Sequence, residues 1–190
     1  MQQINTSPLV LAVKSDQVWQ NVDDLIEYAK QHPRELKYGH GGVGTINHLV
    51  SVFFEQSAGI NIQQVPFRGA GESITALLGG HVQLIFVNPM LVKEHVKSGT
   101  LRVLAVADEQ RLIDPVFSDV PTLKKMGINV AINNWQAIAA QKNLPADVKA
   151  KLAAGLKVIV NDPKFTGRVH EKSLGLKIAD SIYLISNEQR

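Results

Sequence analysis

The chain has 190 residues, 45% hydrophobic and 19% charged, a balance that suits one or two globular domains and excludes a disordered or fibrous chain. A formal charge of only +3, from scattered basic residues, argues against a nucleic-acid surface, so no nucleic acid partner is expected. Cysteine is absent, which rules out disulfides, thiolate catalysis and cysteine-ligated metals. The opening "MQQINTSPLVLAVKSD" has no basic segment followed by a long apolar core, and no stretch approaches the roughly 18 apolar residues of a membrane span. Read as written, the chain lacks a signal peptide and would stay in the cytoplasm.

In chain order, "PLVLAV" (8–13) is a short apolar run that predicts a buried strand. Asn21 then precedes apolar Val22, Leu25, Ile26 and Ala29, with Asp23 and Asp24 in the first turn and Pro33 beyond the end: a helix with both boundaries signalled. "LKYG" predicts a brief strand, followed by a glycine loop and a helix from Ile46 that Gly59 stops. The pattern recurs as strand "INIQQVPF", loop "RGAGES" and helix "ITALLGG". It recurs again as strand "VQLIFV", turn "NPM" and helix "LVKEHVKSG", then strand "LRVLAVA". A turn-rich connection with a small helix after Pro121 leads to a last strand, "NNWQAIAA", and two helices starting near Pro145 and Pro163. This alternation implies an α/β fold with a largely parallel sheet and helices on both faces. Trp135 is expected in the core.

"LKYGHGGVGTINHL" (36–49) contains G-x-G-x-x-G at Gly39, Gly41 and Gly44, but the dinucleotide reading lacks the acid expected about 20 residues on. A phosphate loop would need a Lys before Thr45. What remains is a nest of backbone N–H groups before a helix N-terminus, which favours an anion. The loop's candidates are Gly39, His40, Gly42, Gly44, Thr45, Asn47 and His48, with Thr45 either a hydroxyl donor or a helix cap, and His48 expected neutral in the first helical turn. Arg68 and Gly69 at the second loop, and Asn88 at the third strand end, extend one cleft rich in donors. Each also has a plain reading as a turn glycine, a solvated cation or a cap. Donors without a paired base and nucleophile point to binding rather than turnover, so no catalytic residue, metal ligand or cofactor is assigned.

The order and spacing of "PLVLAV", "LIEYAKQHPRELKYGHGGVGTINHL", "VPFRGAGESITALLGGHVQLIF", "SGTLRVLAVADEQR" and "SDVPTLKKMG" resemble the substrate-binding proteins of the tripartite tricarboxylate transporter family, the Bug or TctC-like receptors. The resemblance runs over about 8–176. It implies a type II periplasmic-binding-protein fold, with one complete lobe (8–126) and part of the other (127–190). It also implies a periplasmic receptor that hands a small tricarboxylate or dicarboxylate to a membrane permease. The family's glycine-loop pattern falls on Tyr38, Gly39, His40, Gly42, Gly44, Thr45 and His48, with His40 where a serine is common. Its Val-Pro-Tyr-Lys-Gly becomes Val65, Pro66, Phe67, Arg68 and Gly69. Val87 and Asn88 stand where an aspartate is usual, and Trp135, Gln136, Ala137 and Ile138 replace a Trp-x-Gly-Leu strand.

The family's first strand–helix unit, which carries the other half of the carboxylate site, is not in this chain, and "IADSIYLISNEQR" departs from its closing helix. The expectation is therefore an N-terminally truncated binding module with impaired affinity. The apolar face Val148, Leu152, Leu156 and Val160 should then seek a partner in a homo-oligomer or swapped assembly. The alternatives are the effector-binding domain of a LysR-like regulator and, more remotely, a nucleotide-binding enzyme.

Overall fold

A computed structural model describes residues 2–141 and 143–171, so the closing segment 178–190 and the last part of the helix expected after Pro163 lie outside the described residues. The chain divides into two compact units: residues 8–133, and the first seven residues with the chain from 134 onward.

The larger unit is built on a five-stranded sheet. Its strands are β2 (Val10–Lys14), β3 (Lys37–His40), β4 (Gln63–Pro66), β5 (Leu84–Val87) and β6 (Leu101–Val106), in spatial order β4-β3-β5-β2-β6. β3 pairs parallel with both β4 and β5, while β2 pairs antiparallel with β5 and β6. Four strands thus share a direction and β2 alone opposes them, a reversal that hydrophobicity could not signal because β2 is buried on both faces. Its side chains alternate between two cores. Leu11 and Val13, with Leu9 just before the strand, pack with Val22, Leu25 and Ala29 of α1 (Val22–Gln31) and with Val50 and Phe54 of α2 (Ile46–Ala58). Val10 and Ala12 pack with Ile74 and Leu77 of α3 (Ala70–Leu78), Val92 of α4 (Pro89–Lys97), and Phe117. Helices on both faces follow from this period of two.

The helix boundaries carry their chemistry. Asn21 Oδ1 accepts from the Asp24 N–H at 2.9 Å, closing the start of α1. Gly59 ends α2 at φ 64°, a left-handed conformation that costs glycine little. Two starts lie earlier than the sequence suggests. α3 begins at Ala70, so most of the supposed loop "RGAGES" is its first turn, and α4 begins at Pro89, whose missing N–H is harmless there. After Pro121 the small helix is a 3₁₀ turn, Lys124–Met126.

The smaller unit holds a two-stranded sheet of β1 (Gln2–Pro8) and β7 (Asn133–Ile138), with helices α5 (Ala146–Val160) and α6 (Pro163–Glu171). The polar stretch of β1 carries no apolar pattern, and no strand was expected there. Trp135 is not a core residue: it is 54% exposed. On α5, Val148 and Leu152 are exposed, Leu156 is half-buried and Val160 is buried. No helix among the described residues is long and apolar enough to cross a membrane.

Candidate functional site

Because β3, β4 and β5 run parallel, their carboxyl ends fall on one side of the sheet, and each feeds directly into a helix: α2, α3 and α4. In such sheets this is where ligands collect. Gly39 belongs to β3 rather than to a nest. A Cβ on it would lie 2.4 Å from Ser73 Oγ and 3.2 Å from Phe67, so its role is close packing of β3 against α3. The nest proper turns on Gly42 and Gly44, at φ 114° and 82°. Within it, Thr45 occupies the N-cap position without capping through its side chain. Its hydroxyl donates instead to the Gly42 carbonyl at 2.7 Å, so that proton is already engaged.

Both histidines are tied into the loop. Nδ1 of His48 accepts from the Gly44 N–H at 3.3 Å, and its Nε2 lies 3.0 Å from Gln64 Oε1 on β4. His40 is 1% exposed, and its Nδ1 accepts from the Gly42 N–H at 3.2 Å. The proton of the neutral ring therefore sits on Nε2, and that buried nitrogen has no hydrogen-bond partner. Burial holds this imidazole below its ordinary value, and the neighbouring His48 ring, 4.7 Å away, adds to the effect.

The second loop meets the first at backbone distance, since a Cβ on Gly41 would lie 3.4 Å from the Gly69 Cα. Gly69 is extended at φ 178°, a conformation open to any residue. The Glu72 carboxylate reaches back to accept from the Arg68 N–H at 3.1 Å, placing an acid of the chain at the start of α3. The Arg68 side chain is exposed, and among the described residues it joins none of the ion pairs. At the third strand end, Asn88 caps α4, accepting from the Met90 N–H at 2.9 Å.

Between these ends lies a narrow recess lined by His40, Gly41, Asn47, Ala70, Ser73 and the β5 residues 85–87. Asn47 spans it, donating from Nδ2 to the Phe86 carbonyl at 2.6 Å and so fixing α2 to β5. The structure thus brings His40, Asn47, the glycine loop and Gly69 together, and leaves Arg68 exposed to solvent outside the recess lining and Asn88 occupied as a cap. Ser73 is the lining residue with a polar side chain that the sequence reading passed over. Its signal was a hydroxyl inside the buried stripe Ser73, Ile74, Ala76 and Leu77, directly after a glycine loop.

The sequence profile described as the tripartite tricarboxylate transporter family receptor matches residues 1–184. A UPF0065 protein of Bordetella pertussis is 29% identical over 172 residues, which cover 90% of this chain and 53% of that protein. Another, from Cupriavidus necator, is 32% identical over 155 residues, 82% of this chain and 46% of its own length. Among solved structures, a TctC solute-binding protein from Polaromonas superposes with a TM-score of 0.77 at 31% identity, covering 94% of this chain and 60% of that one. The R. palustris protein Rpa4515, with adipate, gives 0.82 at 28% identity, covering 92% of this chain and 58% of that one. The chain spans about half the length of the curated relatives it matches. It belongs to the tripartite tricarboxylate transporter receptor family, with the mixed α/β architecture of periplasmic solute-binding proteins.

Proposed function

We propose that residues 8–126 supply one ligand-binding lobe of a receptor for a small dicarboxylate or tricarboxylate, which the whole protein delivers in the periplasm to a tripartite transporter permease. The remainder, 127–190, is the return segment of the other lobe. The observation that carries this reading is the convergence of unengaged donors with the N-termini of α2 and α3, at the carboxyl ends of β3 and β4. Such a site attracts anions without offering a nucleophile and base for turnover, and the adipate that accompanies the R. palustris relative supports the ligand class. Within it, Gly42, Gly44, Thr45 and His48 shape the loop, His40 and Asn47 face the ligand, Gly69 lets the second loop approach, and Arg68 supplies charge at the rim. Asn88 contributes by capping α4.

Amide-detected NMR of the chain titrated with adipate, malate and citrate tests the reading. Weak, fast-exchange binding is expected, with shifts concentrated at the amides of 41–47 and 69–72. No shift there with any of the three sinks it. Micromolar affinity would overturn the narrower view that the lobe alone binds weakly.

The exposed Val148 and Leu152 on α5, with Val158 at 71% and Ile159 at 50% exposure, support self-association of this chain as a homo-oligomer or swapped assembly. Light scattering should report more than one chain per particle, and a single-chain mass removes the proposal.

A further inference from the structure

Two buried polar atoms at this site have no partner, and they line the same recess. His40 Nε2 and Ser73 Oγ belong to residues 1% and 3% exposed, and neither makes a hydrogen bond. An unsatisfied buried polar group forfeits its hydration without return, so such groups are rare in a folded chain without a use. Structure alone does not call for the serine. It lies on the buried face of α3 beside Ile74 and Leu77, where alanine would fill the position without an orphaned hydroxyl. Space is nevertheless kept for that hydroxyl, because β3 carries glycine at position 39, where a Cβ would stand 2.4 Å from Ser73 Oγ.

We propose that the Ser73 hydroxyl and His40 Nε2–H together form the seat for one carboxylate oxygen of the ligand. The assignment rests on the carboxylate-binding reading above and adds to it a residue, Ser73, and a polarity. The polarity follows from the donors. The Gly42 N–H on Nδ1 leaves His40 to donate from Nε2, Ser73 donates from its hydroxyl, and Asn47 presents the same amide nitrogen that bonds to the Phe86 carbonyl. The N-termini of α2 and α3 add positive potential. An oxygen acceptor satisfies this set, whereas an ammonium group leaves every donor unpaired. The recess is too tight to enclose a water molecule outright. The partner must enter from its mouth, and the Ser73 hydroxyl, held by no hydrogen bond, is the group free to turn aside.

The test is an NMR titration of the wild-type chain and of Ser73→Ala with adipate, with hexamethylenediamine as a probe of similar length and opposite charge. Adipate should shift the His40 Nε2–H and Ser73 signals of the wild type, and the diamine should leave them unmoved. Ser73→Ala should keep a dispersed, folded spectrum yet bind adipate about tenfold more weakly, as loss of a hydrogen bond to a charged group implies. His40→Leu should weaken binding similarly, and His40→Gln, which retains an amide donor, should recover part of the loss. If adipate moves the loop amides but binds Ser73→Ala as tightly as wild type, the seat is wrong and the carboxylate reading stands. If the diamine binds as well as adipate, the donor polarity is wrong. If no carboxylate moves any loop amide, the seat falls together with the reading beneath it.

Discussion

The loop after β3 and the loop after β4 look alike in sequence, each a strand end, glycines and a helix start, but the chain finishes them differently. The first turns on left-handed Gly42 and Gly44 and binds itself through Thr45 and His48, leaving His40 Nε2 unpaired. The second has an extended Gly69 and places its own Glu72 carboxylate at the start of α3. A helix N-terminus answered by an acid from its own first turn has less attraction left for a foreign anion. In the proposed site, ligand charge would therefore be met mainly from the first loop, and the second would contribute Ser73 from the helix face, closeness of backbone and the exposed Arg68.

The sharpest way to break this contrast is to substitute one glycine in each half. Gly39→Ala forces a methyl against Ser73 Oγ and should cost about 1–3 kcal/mol in urea unfolding. Gly69→Ala, with open space around it and an unstrained φ, should stay within about 0.5 kcal/mol. Adding Ser73→Ala to Gly39→Ala should return part of the loss, though not all, because Phe67 and Ile85 stand 3.2 and 3.3 Å from the new Cβ. Equal costs at the two glycines would erase the distinction.

Glu72→Gln has a smaller effect, with opposite signs in two measurements. It should lower thermal stability by about 0.3–1 kcal/mol through loss of the favourable charge at the helix start. It should also strengthen adipate binding, since repulsion at α3 is relieved. Weaker adipate binding by this variant would show that Glu72 helps the site rather than screening it.

The shallowest difference is a pH slope. His40 has its folded value lowered from 6.5, so below that pH the unfolded chain takes up the proton more readily than the folded one. Its contribution to stability is fully present above pH 6.5 and is lost as pH falls toward the lowered folded value. Glu55, half-buried and raised from 4.5 by partial loss of solvent, acts in the opposite sense, binding its proton more tightly when folded. The comparison is therefore made between wild type and His40→Asn. The variant should show less destabilisation on acidification just below pH 6.5, and identical slopes would remove His40 as the cause.

Much of this architecture was legible beforehand because its signals are local. Asn21 with Asp23 and Asp24 announced α1, Gly59 ended α2, and apolar runs marked β5 and β6. The starts of α3 and α4 were misjudged because Gly71, Glu72 and Pro89 read as loop residues, yet each is tolerated in a first helical turn. At the site, the glycines were visible and their separate duties were not. Gly39 and Gly42 look equivalent in "GHGG", but one is packed under α3 and the other turns the chain. Ser73 went unnoticed because a lone serine in an apolar stripe has no meaning until its neighbours across the sheet are known.

By itself, the sequence determined most of the segments that become strands and helices, though not β1, together with helices on both faces of the sheet and the family the chain resembles. Those properties depend on periodicity, capping and the order of motifs, all written along the chain. Tertiary structure decided that β2 opposes the other four strands, that Thr45 spends its proton on Gly42, and that Glu72 closes the second loop. It alone brought His40 and Ser73, which are 33 positions apart in the numbering, to one recess with no partner for either. Hydrogen-bond satisfaction is a property of surroundings, and those surroundings are assembled only when strands and helices far apart in the chain pack together.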